Sequence, residues 1–115
     1  NVSGVYYIND NVTLCQKTYS TTQTLIIINA SHTTLDCNGS TLDGDDDGAD
    51  IGISIHAFDY VTIKNCTIKD FDKGISSTAG SEHGNITDNT LLSNNYGVYY
   101  DSSSNNYITN NTMTL

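Results

Sequence analysis

Short stretches in which apolar and polar residues alternate recur along this chain, and they predict β-strands of three to five residues. Two examples are Val61-Thr62-Ile63 and Asn85-Ile86-Thr87. Asn, Gly, Asp and Ser separate these stretches, and these residues suit the left-handed backbone of tight corners. Asn, Ser and Thr are also very frequent, and they favour turns or strands over helix interiors. The pattern therefore predicts an all-β protein.

A unit of about 22 residues repeats along the second half of the chain. It consists of an isoleucine, three mostly polar residues, a threonine and a further apolar residue. The unit starts at Ile63, Ile86 and Ile108, which are 23 and 22 residues apart. One such unit cannot bury its apolar side alone, so the units have to stack. Short strands stacked at about 4.8 Å per unit form a parallel β-helix.

The length and the repeat together predict one domain, residues 1–115. Residues 32–115 are expected to form regular rungs, and residues 1–31 to form irregular opening rungs, because the repeat is weaker there. Asparagines at equivalent corners predict a ladder of stacked side chains. Two sets of residues fit this ladder: Asn65 with Asp88 and Asn110, or Asn89 with Asn111.

The charge balance excludes some classes of partner. The chain has 4 lysines, no arginine and 13 acidic residues, which gives a formal net charge of −9. Nucleic acids are not expected to bind, because phosphate contacts need a basic surface. The longest apolar run, Leu25-Ile26-Ile27-Ile28, is far shorter than the roughly 18 residues that a membrane-spanning helix needs. No part of this chain is therefore expected to insert into a membrane.

Three cysteines, Cys15, Cys37 and Cys66, leave two interpretations open. Cys15 and Cys37 are candidates for a disulfide, with the third thiol left free or linked to another molecule. Alternatively, the cysteines are small hydrophobic residues in the stacked core.

An acidic loop is the clearest candidate for metal binding. Asp43, Asp45 and Asp47 alternate with other residues around Gly44 and Gly48. Alternating carboxylates at a glycine turn are suited to Ca²⁺, which prefers oxygen ligands. The acid expected at the end of such a loop is missing, and Asp50 is its substitute in this prediction. The alternative is a solvated acidic loop that binds no ion.

Asparagines that are followed two residues later by Ser or Thr predict glycosylation, if the protein is secreted by a eukaryote or an archaeon. The best candidates lie in irregular loops: Asn11, Asn29 and Asn38. The remaining candidates are Asn1, Asn65, Asn85 and Asn110.

Three segments of the chain resemble a known family. They are Thr34–Gly39 with Leu42-Asp43-Gly44, Tyr60–Asp70, and Gly84–Val98. They look like the right-handed parallel β-helices of the pectin-lyase-like superfamily, especially NosD-type and archaeal surface-protein repeats. The resemblance implies a right-handed coil and a place outside the cell or at its surface.

The same resemblance brings enzymes into consideration, since the superfamily includes polysaccharide lyases and hydrolases. Its lyases use an Arg or Lys base beside calcium-binding acids, whereas this chain has no arginine and its lysines are scattered. Its histidines, His32, His56 and His83, lack the spacing of a metal site, so copper handling gains no support from the residues. We therefore expect a protein that is not an enzyme.

Two functions remain after these exclusions. The first is an extracellular structural protein of a surface layer, sheath or filament, in which copies stack end to end through open β-helix ends or stack laterally. The second is a module of a larger secreted protein that binds or processes carbohydrate, with glycans as partners. Its binding face would be an aromatic strip formed by Tyr96, Tyr99, Tyr100 and Tyr107.

Overall fold

The computed structural model describes residues 5–114, and within this range the chain forms fifteen short strands and no helix. The strands are β1 (Tyr6–Ile8), β2 (Val12–Thr13), β3 (Thr18–Ser20), β4 (Ile26–Ile28), β5 (Thr34–Asp36), β6 (Thr41–Asp43), β7 (Ile51–His56), β8 (Thr62–Lys64), β9 (Thr67–Lys69), β10 (Lys73–Thr78), β11 (Asn85–Thr87), β12 (Thr90–Leu92), β13 (Tyr96–Asp101), β14 (Tyr107–Thr109) and β15 (Thr112–Thr114). Three consecutive strands make one rung, so β1–β3 form rung 1 and β13–β15 form rung 5.

Strands at the same place in successive rungs pair in parallel and form three sheets of five strands each. Sheet A holds β1, β4, β7, β10 and β13. Sheet B holds β2, β5, β8, β11 and β14, and sheet C holds β3, β6, β9, β12 and β15. The registers align the predicted repeat markers, since Ile86 lies beside Ile63 and Ile108. The predicted parallel β-helix is therefore confirmed.

The core is a set of aliphatic columns that run along the axis of the solenoid. In sheet B, Leu35, Ile63 and Ile86 are stacked and at most 1% exposed. In sheet C, Leu42 and Ile68 form a similar column, and both are 0% exposed. Burial of each such side chain contributes about 1.5–3 kcal/mol to folding. The residues on either side of each buried residue point outward, which explains the alternation in the sequence.

Buried asparagines hold the corners between sheets B and C together. Asn89 donates from Nδ2 to the carbonyl of Ile63 (3.0 Å), and its Oδ1 accepts the N–H of Cys66 (2.9 Å). Asn111 repeats this arrangement one rung later, donating to the carbonyl of Ile86 (2.8 Å) and accepting from the N–H of Asn89 (2.9 Å). The hydrogen-bonded ladder is thus formed by Asn89 and Asn111.

The other predicted set of corner residues has a different role. Asn65, Asp88 and Asn110 have φ angles of 59°, 58° and 54°, and their side chains are exposed. This left-handed conformation is more accessible to Asn and Asp than to most other residues. These residues therefore turn the chain, and the next residue along points inward to form the ladder.

The disulfide joins Cys37 to Cys66, so the predicted Cys15–Cys37 pair is wrong. Cys66 takes the inward corner position that Asn89 takes on the next rung. Cys37 is the first residue after β5. The corner that it begins, between β5 and β6, is two residues longer than the corner between β8 and β9. Their Cα atoms are 4.8 Å apart, and both residues are buried. Cys15 is a free, exposed thiol.

Residues 5–114 contain no helix with the length and apolar character that crossing a membrane requires. The least regular corner lies between β6 and β7, where residues 44–50 form the acidic loop. The corresponding corners after β9 and β12 have three residues each. This loop therefore leads directly into Ile51, the first residue of β7 in sheet A, next to the functional site considered below.

Candidate functional site

Two tyrosines and a lysine contact one another on the outer face of sheet A. Lys73 begins β10 and Tyr96 begins β13, and the two are register partners in neighbouring strands. The Nζ atom of Lys73 lies 5.6 Å from the ring centre of Tyr96 and 4.9 Å from that of Tyr99. The two rings meet edge to face with their centres 5.5 Å apart. An ammonium group is attracted to aromatic faces, so these contacts order all three side chains.

An aspartate and an asparagine complete this group, which we call the Tyr–Lys cluster (Asp72, Lys73, Asn95, Tyr96 and Tyr99). Asp72 Oδ2 lies 3.0 Å from Lys73 Nζ, and Asn95 Nδ2 donates to Asp72 Oδ1 at 3.0 Å. The bond from Asn95 and then the bond from Lys73 hold the pKa of Asp72 below its usual 3.8. Asp72 is therefore ionised at neutral pH and compensates the charge of Lys73.

The predicted strip of four tyrosines is only partly formed. Tyr96 and Tyr99 contact each other, but Tyr100 packs against the core, and burial raises its pKa to about 12. The Tyr100 hydroxyl has no hydrogen-bond partner within residues 5–114. Tyr107 belongs to sheet B, where it is 66% exposed. The sequence analysis missed Lys73. The repeat nevertheless aligns Lys73 with Tyr96, because each directly precedes a glycine, Gly74 or Gly97.

The acidic loop does not gather its carboxylates around one point. Asp43 is the last residue of β6 and forms an ion pair with Lys69 at 3.4 Å. Asp45 Oδ1 accepts the N–H of Asp47 (3.1 Å), which is an ordinary turn bond. Burial, followed by the charges of Asp45 and Asp47, raises the pKa of Asp50. In the described part of the chain no three acidic, His or Cys side chains are close enough to hold an ion, so calcium binding stays a prediction.

A second aromatic group lies on the corner between sheets A and B. The Tyr60 ring is stacked between His32 and His83, with ring centres 4.8 and 4.9 Å apart and planes within 14° of parallel. All three residues have positive φ angles, between 56° and 59°. Successive rungs thus place one flat ring above another. The ring of Tyr60 separates the two imidazoles, so they cannot share one metal ion.

The predicted glycosylation sites differ in exposure. Asn1 lies outside the described residues. Asn85 begins β11 and is half-buried, so it is the least accessible of the six candidates that the structure describes. The candidates with exposed side chains are Asn11, Asn29, Asn38, Asn65 and Asn110. Occupancy of these sites stays a prediction.

Comparison with known families gives one result that covers almost the whole chain. Residues 1–114 match the family model described as "Periplasmic copper-binding protein (NosD)". No curated protein and no solved structure matches the chain. A periplasmic or extracellular setting agrees with the Cys37–Cys66 disulfide, because disulfides persist in oxidising compartments.

The family description raises the question of copper, and the described donors do not fit a copper site. Copper is bound by clusters of imidazole, thiolate or thioether groups. His32 and His83 lie on opposite faces of Tyr60, and His56 bonds to Thr78 Oγ1 at 3.0 Å. The thiols of Cys37 and Cys66 are consumed by their disulfide. The five-rung parallel solenoid and the match over residues 1–114 nevertheless establish that this chain belongs to the NosD family.

Proposed function

We propose that this β-helix is a structural, non-catalytic module at the cell surface, and that copies stack end to end into a filament or sheath. The main support is the exposure of core columns at rung 5. Ile108 is 43% exposed and Met113 is 49% exposed, whereas Ile86 and Leu91 at the same positions of rung 4 are each 1% exposed. A further rung, from a second copy or from more of the same chain, would bury them as rung 5 buries rung 4.

The opposite end offers a matching apolar surface. A cleft of about 270 Å³ at rung 1 is lined by Lys17 and by apolar or aromatic side chains, among them Tyr6, Val12, Leu14, Tyr19 and Leu25. Tyr6 is 41% exposed, although its register partner Ile26 is buried. Rungs 1 and 5 present different surfaces, so contact between them is heterologous, and heterologous contacts that do not close form filaments.

Backbone polarity favours the same arrangement. The N–H and C=O groups of inner strands bond to the rungs on both sides, whereas within residues 5–114 rungs 1 and 5 pair on one side only. A row of unpaired groups at an exposed sheet edge is a template for another strand. Stacking of a second copy would extend all three parallel sheets across the junction.

Lys17 lacks the side-chain oxygen that other rungs use to bond the rung before them, so its replacement offers a gain-of-function test. The N–H of Asn89 is bonded by the side-chain oxygen of Asn111 on the following rung, and the N–H of Lys17 by Ser40 Oγ (3.2 Å). The N–H of Asn111 has no such partner within residues 5–114. A stacked copy would place its Lys17 there, and lysine has no side-chain oxygen. Lys17→Asn should therefore strengthen stacking, and Lys17→Ala should not.

Sedimentation velocity and electron microscopy of the native, full-length protein test the proposal. We expect concentration-dependent oligomers with a spacing of whole solenoids. Ile108→Asp should disperse them, because it places a charge in the junction, while Thr62→Asp on the outer face of rung 3 should not. A protein that stays monomeric at physiological salt, and that remains so with Lys17→Asn, would rule out end-to-end stacking.

Carbohydrate binding is a second function that we propose for the module. The observation that favours it is the Tyr–Lys cluster, in which aromatic rings lie beside an ionised carboxylate and an amide. Binding sites for polyhydroxylated ligands combine apolar faces with a few well-placed polar groups. Glycan binding and stacking would use different surfaces, so one module can have both functions.

A further inference from the structure

We propose that Asn38 is a site of spontaneous chemical modification, at which Gly39 converts it to aspartate and isoaspartate, and that the contact between rungs 2 and 3 controls the rate. Asn38 and Gly39 form the one Asn-Gly pair among the 115 residues of the chain. The backbone nitrogen that follows an asparagine can attack its side chain, and glycine hinders this attack least because it has no side chain. The inference is independent of stacking and of carbohydrate binding.

The fold favours this reactive pair at the corner between β5 and β6. The N–H of Ser40 donates to the carbonyl of Cys37 at 2.9 Å, which closes a four-residue turn. Its two central residues, Asn38 and Gly39, have φ angles of 55° and 80°, and turns with two positive φ angles strongly favour Asn-Gly. A Cβ atom on residue 39 would also lie 3.1 Å from Gln16 Nε2. The sequence that this corner accommodates best is therefore also the most reactive one.

The reaction needs only water and the atoms of the corner. The Gly39 nitrogen attacks Cγ of Asn38, so that an N–Cγ bond forms and the Cγ–Nδ2 bond breaks. The side-chain amide leaves as ammonia, which takes up the proton that the Gly39 nitrogen loses, and a cyclic succinimide remains. Water then opens the ring at Cγ to give aspartate, or at the main-chain carbonyl of residue 38 to give isoaspartate. Both products carry a negative charge that Asn38 lacks.

In the folded protein the attacking nitrogen is already engaged with the next rung. The N–H of Gly39 donates to the carbonyl of Asn65 on rung 3 at 2.9 Å, whereas the Asn38 side chain is exposed to solvent. The nitrogen therefore cannot reach Cγ until this bond opens and the turn relaxes. The Cys37–Cys66 disulfide holds the preceding residue to the same rung. The reaction thus requires rungs 2 and 3 to separate locally, and its rate follows the population of that open state.

The products should prevent the corner from closing again. Asp36 Oδ1 accepts the N–H of Asn38 at 2.8 Å and Nδ2 of Asn65 at 3.0 Å. A new carboxylate at residue 38 would lie close to Asp36 and repel it. Isoaspartate also adds one carbon to the main chain, so the N–H of Gly39 would no longer meet the Asn65 carbonyl in the same register. Each opening that leads to reaction is therefore recorded permanently as a weaker contact between rungs 2 and 3.

Peptide mapping by mass spectrometry tests the site and its control, with the full chain made in a host that does not glycosylate asparagine and incubated at mildly alkaline pH. In urea, Asn38 should gain one mass unit before Asn65 and Asn110, which are exposed asparagines at equivalent corners. In the native protein the reaction at Asn38 should be slower than in urea by at least about tenfold, which corresponds to about 1.4 kcal/mol.

Cysteine variants test the part played by the disulfide. Replacing both Cys37 and Cys66 by Ala should speed the reaction at Asn38 under native conditions, because rungs 2 and 3 then separate more often. Cys15→Ser is the matched control, since it removes an exposed thiol that forms no disulfide, and it should leave the rate unchanged.

Each part of the proposal has its own failure. Earlier reaction at Asn65 or Asn110 in urea would overturn the site. Equal rates at Asn38 in native and urea-unfolded protein would overturn the control by rungs 2 and 3, as would an unchanged rate in the disulfide-free variant once circular dichroism shows it to be folded. The isoaspartate form, isolated by chromatography, should unfold at a lower urea concentration than the unmodified chain. An equal midpoint would overturn the permanent weakening.

Discussion

At the scale of single residues, Asn89 has a demanding position. It is 1% exposed and bonds to two backbone groups of the preceding rung, the carbonyl of Ile63 and the N–H of Cys66. Asn89→Ala would remove both of these buried hydrogen bonds, at a cost of about 1–3 kcal/mol each. We expect the free energy of unfolding in urea to fall by about 2–6 kcal/mol.

Asn9→Ala is the control for this substitution. Asn9 is exposed, and within residues 5–114 its side chain makes one hydrogen bond, accepting at Oδ1 from Asn29 Nδ2 at 2.8 Å. Exposed hydrogen bonds of this kind contribute little, so the change should stay within about 0.5 kcal/mol. Equal losses in the two variants would contradict the role assigned to the buried ladder.

Two aspartates should affect the pH dependence of stability in opposite directions. Hydrogen bonds from the Asn65 side chain and from the N–H of Asn38 lower the pKa of Asp36 from 3.8. Ionised Asp36 therefore stabilises the folded protein above pH 3.8, and this contribution is lost as the pH falls through the pKa of the folded state. Burial, then Asp45 and Asp47, raise the pKa of Asp50, so ionised Asp50 lowers stability at neutral pH and protonation relieves this.

Urea unfolding at pH 7 and pH 3, in the presence of chelator, checks the signs. Asp36→Asn should lower the free energy of unfolding at pH 7, and Asp50→Asn should raise it. Both differences should shrink at pH 3, where the carboxyls are largely protonated in the unfolded chain. A stabilising Asp36→Asn, or a destabilising Asp50→Asn without metal, would contradict the assigned causes.

At the scale of elements, the disulfide ties rung 2 to rung 3. It closes a loop with a sequence separation of 29, and a loop of this length contributes about 3–4 kcal/mol in the chain-entropy model. Replacing both Cys37 and Cys66 by Ala should therefore lower stability by about that amount, whereas Cys15→Ser should have little effect. Non-reducing peptide mapping should link the peptides of Cys37 and Cys66. A Cys15–Cys37 link would show that the corner geometry is wrong.

The rungs were predictable from the sequence because one apolar residue per strand recurs at a nearly constant spacing, as at Ile63, Ile86 and Ile108. The disulfide was not predictable from the sequence, because the pairing of cysteines depends on which corner residue turns inward. The corner of rung 2 has four residues and the next has two, which moves Cys37 into reach of Cys66. Tyr96 and Tyr99 of the Tyr–Lys cluster were predicted, but Lys73 was missed for a related reason, since it reaches both rings from the neighbouring strand.

At the scale of the whole molecule, each rung contacts only the rungs beside it, so stability should vary along the axis. Amide hydrogen exchange of the monomeric protein should be slowest near Ile63 and Ile68 in rung 3, which is covered on both sides. Exchange should be faster near Val12 in rung 1 and Ile108 in rung 5. Uniform exchange across all rungs would indicate a single cooperative unit.

The covalent link between rungs 2 and 3 also has a mechanical consequence. If the solenoid were pulled along its axis from its two ends, rungs 5 and 4 would peel away one after another. The segment between Cys37 and Cys66 could not lengthen, because the bond carries the load past it. With a sequence separation of 29 and about 3.4 Å per extended residue, roughly 100 Å of chain would stay hidden from the applied force. Adding a reductant would release that length, so the oxidation state of one bond sets how far each module can be stretched.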